Sequence, residues 1–491
     1  MPSTVRPPTL PATMPMRLGG RVRNPRQTYG VVDPSTGGHL TDAPEWQAAD
    51  IDEAVAQAVD AQRQWRALAP RDRAGHLRRL ADEIAGHREE LAILDALDGG
   101  FPIRGMRGDV DNAVQGVHVM ADMALSLGGQ TIPSTAGNLH YTVQQPYGVV
   151  ARIVPYNHPL FFAVTKIVAP LMAGNAVLLK APAQTPLSAL RLAEIIDDVL
   201  PPGLCTIVTG GSPDSARALV RHPAVRRIGF IGSEATGRSI QHDAADTGVK
   251  QVTLELGGKN ALIAFPDVDP VAAAEAAVFG MNLDWTMGQS CGSTSRLLVH
   301  RSIAAEVTNR VADGFAALRA GNPLDETTQV GPLVSDAHQQ RVLGAIARAR
   351  SDGADVIVGG GRPRDVEPGG FFVEPTVLGA VDPSSWIAQT EVFGPVLAIS
   401  TFDSDDQAIR IANGVGYGLT AAIWTSDVTR AHRAAAELEA GYLWINGSSK
   451  HFPGLPFGGT KMSGIGREEG LDEILSYTET KTVSVMLEGP K

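Results

Sequence analysis

Cysteine is scarce: Cys205 and Cys291 are the only two in 491 residues. They are too few and too differently placed for a disulfide framework, which favours a reducing compartment. Positive charge is also short, since 42 Lys and Arg against 53 Asp and Glu leave a formal net charge of −11. That balance argues against nucleic acid or an anionic membrane as a partner. Long apolar runs are missing as well. The most apolar stretch, 159–179, is interrupted by Lys166, Pro170 and Asn175, so it reads as a buried helix followed by a strand and not as a membrane span. The first fifteen residues carry five prolines and no apolar run, which reads as a loose arm and not a secretion signal. No repeat or low-complexity segment is evident. The histidines show no ligand spacing with cysteine or acidic partners, so no metal is expected. Together these absences describe a soluble, cytoplasmic protein.

The length allows about two to four domains with an ample core. Between Asp50 and Asp98, apolar residues recur at spacings of three and four, with Pro70 breaking the run, which predicts a set of amphipathic helices. Gly99 and Gly100 close the last of them, and a helical pattern resumes over 109–127. Two extended runs flank Pro146, Tyr147 and Gly148, predicting a hairpin over 140–154 that stands out from the body. From Gly174 onward strands alternate with helices: strand 176–179, helix 187–199, strand 206–208, helix 215–221, strand 228–231. A second series follows Gly258, with strand 261–264, a helix near 271–281, strand 296–300 and helix 303–319. The final third adds a helix from Ser426 to Leu438 and strand 442–445. Such alternation implies βαβ units and mainly parallel sheets, and two such layers suggest a cleft between them. The end, 482–487, reads as a lone strand.

Several residues could carry chemistry. Cys291 lies in a small, polar stretch (287–294) between a helical run and an apolar strand. Exposed backbone N–H groups there would lower the thiol pKa and bind an oxyanion; an inert small hydrophobe is the other reading. Cys205 reads as core. Glu255 ends a strand-like run before two glycines, placed either as a general base or as a surface acid paired to Lys259. Gly232 and Gly237 frame a strand–turn–helix passage. It could set backbone N–H groups against a phosphate, although the spacing is not that of a dinucleotide fingerprint and a plain turn is equally consistent. Asn157, between Pro155 and Pro159, is an amide donor or an Asx turn.

Taken together, these stretches resemble the aldehyde dehydrogenase superfamily over about 41–485. The resemblance rests on five motifs in order: Pro-aromatic-Asn-x-Pro at 155–159, Glu-Leu-Gly-Gly-Lys at 255–259, Gly-Gln-x-Cys at 288–291, Glu-x-Phe-Gly-Pro at 391–395, and Pro-Phe-Gly-Gly-x-Lys-x-Ser-Gly-x-Gly-Arg-Glu at 456–468. It implies an α/β fold with three parts. These are a doubly wound Rossmann-like cofactor domain (1–127 and 149–256), a second α/β catalytic domain (257–470) and a small β oligomerisation element (128–148 and 471–491). It also implies that Cys291 attacks an aldehyde, that the Asn157 amide and the Cys291 N–H hold the oxyanion, and that hydride passes to a nicotinamide. Glu255 then activates water to hydrolyse the thioester. Transfer of the acyl group to coenzyme A is the competing branch, against which Glu255 argues. A non-catalytic cofactor-binding relative is the third possibility.

For the cofactor, the resemblance places Lys180 at the adenine ribose, Gly232 and Ser233 at the pyrophosphate, and Glu391 with Phe393 around the nicotinamide. Ile153, Pro155, Gly210, Gly237 and Leu256 complete the expected site. NAD is the expected cofactor. Many relatives carry a glutamate where this chain has Ala183; its absence removes a ribose contact and an obstacle to a 2′-phosphate, so NADP is also admitted. Phe161, Trp285 and His451 are expected to touch the substrate. With Lys450 and Asp284 they could favour a polar or anionic aldehyde, a solvated lysine at the rim being the alternative. Homodimers or homotetramers are expected, because the hairpin and the last strand would leave unpaired edges.

Overall fold

The computed structural model describes residues 5–487. Pro2 of the expected loose arm, and positions 488–491 of the expected oligomerisation element, lie outside them. The rest of the arm is not loose. Val5 N–H donates to the Leu324 carbonyl at 2.9 Å, Met14 N–H to the Asp42 carbonyl at 2.8 Å, and Met14 is buried.

Two open sheets organise the chain. The first runs in the order 464–465, 251–256, 225–232, 149–153, 176–180, 205–208. All neighbours are parallel except the Gly464–Ile465 strand, which pairs antiparallel to Gln251–Leu256. Numbered along the chain, the parallel strands stand in the doubly wound order 3-2-1-4-5, and the order reverses between Val149–Ile153 and Val225–Gly232. Ligands bind at such a reversal, outside the carboxyl ends of the strands. The second sheet runs 355–358, 376–379, 396–402, 296–300, 261–264, 420–424, 442–445 and is parallel but for its first strand. The expected catalytic stretch 257–470 therefore does not stay in one layer. Its last part sends Gly464–Ile465 back to the first sheet, beside Glu255.

The strands 149–153, 176–180 and 205–208 are buried at every residue, as β-branched and leucine runs covered by helices on both faces must be. The helices start where proline or a capping side chain permits. Pro70, Pro159 and Pro270 open theirs, a position where a missing N–H costs nothing. Gly100, at φ 73°, ends the Arg88–Gly99 helix in the left-handed region. That helix also fixes two others: Asp95 accepts from Leu160 N–H at 3.1 Å and Asp98 from Leu187 N–H at 2.9 Å. Burial pushes Asp95 up to about 7 and Asp98 well above its ordinary value, so these carboxyls hold the first turns of the Pro159–Met172 and Leu187–Val199 helices.

The expected hairpin over 140–154 does not form. Its first arm, Asn138–Pro146, pairs antiparallel with Thr478–Met486, and its second arm, Val149–Ile153, is the central strand of the first sheet. The lone strand at 482–487 is thus the far half of this ribbon. Among the described residues no helix is long and apolar enough to cross a membrane. One acidic cluster, His242, Asp243 and Asp246, has metal-like proximity that the sequence spacing did not suggest. Its carboxylates already receive Arg217 and Arg221 at 2.7–3.4 Å, so it works as an ion-pair knot. Phe101, unexplained by sequence, is fully buried core.

Candidate active site

Cys291 is partly buried in the loop between the short Leu283–Thr286 helix and the Arg296–His300 strand. Asn260, just past the end of Gln251–Leu256, clamps this loop. Its Nδ2 donates to the Cys291 carbonyl at 2.5 Å and to the Ser293 carbonyl at 3.0 Å. Asn282 and Met287, both at φ 53°, bend the chain through the left-handed region on the approach, a conformation that non-glycine residues hold only when the surroundings enforce it.

The thiol is not acidified as expected. Burial pushes the Cys291 pKa well above its ordinary value and the charges of Glu255, Glu391 and Glu469 push the same way, with only the Gly292 N–H pulling it down. Backbone donors act in the anticipated direction, but desolvation beside three acids outweighs them. Ionising this thiol requires a base, and Glu255 is the acid whose charge acts on it most strongly.

Glu255 sits near the carboxyl end of its strand and is 5% exposed. Its Oε1 has no partner, and its pKa is raised well above the carboxylate range by burial first and by Glu468 next, against the pull of Lys166. The surface-pair reading fails, because Lys259 is itself buried with its Nζ unpartnered. Burial lowers that lysine to about 7. Below Glu255 lies a buried charge knot, Glu468 bridging Arg152 at 2.9 Å and Lys166 at 2.8 Å.

Cys291 and Glu255 line one cavity of about 360 Å³. Phe161, Trp285 and His451, singled out from sequence, line it too, as does Lys450, whereas the exposed Asp284 does not. His451 is held at the mouth by Glu469 at 3.2 Å and stacks on Tyr442. Asn157, the residue before His158 of that lining, is 2% exposed with Oδ1 unpartnered. An Asx turn would have engaged that oxygen, so that reading is excluded.

The remaining expected residues gather at the carboxyl edge of the first sheet. Ile153 pairs with Lys180 and Phe230 across the reversal of strand order, and Pro155 follows it. The Lys180 ammonium donates to the carbonyls of Ala181 at 2.7 Å and Gly210 at 3.1 Å, and burial lowers it to about 8. Two of its three donors are thus used and one is free. Ser233 caps the Glu234–Thr247 helix, and Gly237 lets that helix press on Leu256, whose Cδ2 would lie 2.9 Å from an added Cβ. Glu391 accepts from Gly258 N–H at 3.0 Å, and burial raises it to about 7. Ala183 itself offers no carboxylate beyond Lys180, but the Glu45 carboxylate acts on that lysine and accepts from Gly211 and Ser212 N–H at 2.6 and 3.3 Å. A lysine with a spare donor, a capped helix N-terminus at the switch point and a half-engaged carboxyl fit the ribose hydroxyls and pyrophosphate of a dinucleotide.

Two features escaped the sequence reading. Phe393 adopts φ 59° and is held there by His338, whose Nε2–H donates to the Phe393 carbonyl at 2.7 Å while Nδ1 accepts from Arg341 at 2.7 Å. Burial lowers His338 to about 4, so it stays neutral and keeps this tautomer. Beside Asn157, His158 is buried against Asp109 at 2.8 Å in the cavity wall. A histidine inside the Pro-x-Asn-x-Pro turn was the one available signal.

Residues 22–483 match the model of the aldehyde dehydrogenase family. The chain belongs to that family. It is 42% identical to aldehyde dehydrogenase tropH of Talaromyces stipitatus over 93% of this chain and 90% of that protein. It is 38% identical to the chloroplastic betaine aldehyde dehydrogenase of Amaranthus hypochondriacus over 95% of each. Among solved structures, PnpE from Pseudomonas sp. WBC-3, in complex with nicotinamide adenine dinucleotide, superposes with a TM-score of 0.94 at 39% identity, covering 98% of this chain and 99% of that one. This aldehyde dehydrogenase is accordingly an oxidoreductase acting on aldehydes, with the doubly wound and catalytic α/β layers of its family.

Proposed function

We propose that this aldehyde dehydrogenase converts an aldehyde to its carboxylic acid through a covalent adduct on Cys291. The observation that carries the reading is the shared enclosure of Cys291 with the unpartnered carboxyl of Glu255. Glu255 takes the thiol proton, and the thiolate sulfur bonds to the carbonyl carbon. The Asn157 amide and the Cys291 backbone N–H stabilise the alkoxide that results. NAD, held by Lys180, Gly232, Ser233 and Glu391 with Phe393, supplies a hydride acceptor when bound. Once Glu255 has passed that proton to solvent, it takes a proton from water, whose oxygen adds to the thioester carbon; the C–S bond then breaks, the acid leaves and Glu255 returns its proton to the sulfur. NAD is the cofactor bound by PnpE, and the missing carboxylate at Ala183 keeps NADP admissible. An acceptor thiol such as coenzyme A is disfavoured because Glu255 is placed to use water.

The test is the rise in reduced-cofactor absorbance with NAD and NADP in parallel, over aliphatic, aromatic and charged aldehydes. Cys291→Ala should lower turnover by at least about a thousandfold while leaving the fold intact. Retained turnover in that variant, or an acyl thioester formed only when coenzyme A is added, would overturn the reading.

A further inference from the structure

Glu45 directly follows the His39–Pro44 strand, in a part of the chain that no motif marked. Its neighbours are fastened to the loop after Cys205–Val208. The Thr209 hydroxyl donates to the Pro44 carbonyl at 2.6 Å, and Trp46 N–H donates to the Thr209 carbonyl at 3.3 Å. The half-buried side chain lies against the glycine pair of that loop. Its Oε2 accepts from Gly211 N–H at 2.6 Å and its Oε1 from Ser212 N–H at 3.3 Å. A Cβ added at Gly210 would meet Oε1 at 3.0 Å, so glycine is what admits the carboxylate. At the other end of the same peptide group, the Gly210 carbonyl accepts from the Lys180 ammonium at 3.1 Å. A trans peptide points its C=O and N–H in opposite directions, so ammonium and carboxylate flank one peptide unit. Each keeps hydrogen-bonding capacity, Lys180 for one more acceptor and Glu45 for further donors.

A ribose presents two neighbouring hydroxyls, each able to donate and to accept. A cation with a spare donor and a carboxylate with spare lone pairs, held on one peptide, match such a diol. A 2′-phosphate meets the opposite conditions. Its natural cradle would be the N–H groups ahead of the Asp214–Arg221 helix, but those of Gly211 and Ser212 are already taken by Glu45. The arginines of that helix, Arg217 and Arg221, are engaged by Asp243. Lys180 has committed two of its three donors to carbonyls. The phosphate would therefore bring its charge against a fixed carboxylate with little to offset the repulsion.

We infer that Glu45 selects NAD over NADP, supplying from the N-terminal segment the carboxylate that Ala183 lacks. The inference rests on the proposed reading of Lys180 as the lysine at the adenine ribose, and it narrows the cofactor choice that Ala183 alone leaves open.

The experiment is calorimetric titration of the full chain, without aldehyde, with NAD and NADP and with the fragments adenosine 5′-monophosphate and adenosine 2′,5′-bisphosphate. The native protein should bind NAD at least about a hundredfold more tightly than NADP. Glu45→Gln, which keeps the shape, and Glu45→Ala, which also frees both N–H groups, should each narrow that ratio at least about tenfold. The change should come from tighter NADP as well as weaker NAD, and the fragments should shift in the same sense. Equal native affinity for the two dinucleotides, or an unchanged ratio in either variant, overturns the inference. So does equal weakening of both, the result expected if Glu45 only props the loop. Binding of neither dinucleotide overturns the cofactor reading along with it. Because the readout needs no turnover, NAD selectivity that depends on Glu45 in a protein that oxidises no aldehyde would sink the proposed function and leave this inference standing.

Discussion

Two protons, on the Cys291 thiol and the Glu255 carboxyl, are held by this protein to higher pH than either group keeps in water. Activity that needs Glu255 ionised to take the thiol proton should therefore climb with pH, and the acid limb of kcat/KM should lie well above the ordinary carboxylate range; a limb near the ordinary carboxylate value would refute the pairing. The same shift acts on stability. Unfolded, Glu255 ionises near its usual value; folded, it keeps its proton to higher pH, so the native state binds more protons and loses stability as pH rises through that window. Glu255→Gln should remove this penalty. We expect a melting temperature raised by about 1–3 °C at pH 8, shrinking towards pH 4, together with turnover lowered about 10²–10⁴-fold. Thermal scans at both pH values check it, and a lower melting temperature at pH 8 would count against a strained Glu255.

At the scale of elements, the contact that sets the cofactor edge is the pressing of Glu234–Thr247 onto Gln251–Leu256 at Gly237. Gly237→Val would push against Leu256 and tilt the capped N-terminus away from the switch point. Dissociation of NAD, followed by fluorescence, should weaken by about tenfold, as expected of a misplaced anion site; unaltered affinity would show that the helix can move without consequence. This region also shows what the sequence could and could not tell. The Leu187–Val199 helix and the 261–264 and 296–300 strands fall where periodicity put them, because their signals are local. The hairpin failed for the opposite reason. Pro146 and Gly148 spell a turn, yet the partner of Asn138–Pro146 lies more than 300 residues away and leaves no local mark. In the site, Cys291, Glu255 and Asn157 each sit in a recognisable short motif. The His158–Asp109 and His338–Phe393 contacts span 49 and 55 residues, and no spacing rule connects such pairs. The thiol's raised pKa was equally invisible, since it depends on which acids surround it in space.

For the whole molecule, the ribbon of Asn138–Pro146 and Thr478–Met486 is conspicuous because two strands alone are marginal in water. Its residues are largely half-buried or exposed, and Leu139, Met486 and Leu487 present 40%, 69% and 66% of their surface. We predict that these edges are covered by other copies of the chain. Light scattering should give at least twice the chain mass, and a monomer at working concentration would contradict it. The return of Gly464–Ile465 to the edge of the first sheet has a consequence for synthesis. A ribosome has released the five parallel strands long before residue 464 emerges, so the strand bearing Glu255 waits with one edge bare while residues 257–463 are made. Its closure, like the ribbon's, is among the last events, a long-range pairing of the slow and aggregation-exposed kind. The nascent enzyme would then acquire a cofactor-shaped sheet early and a finished catalytic floor only once residue 465 has emerged.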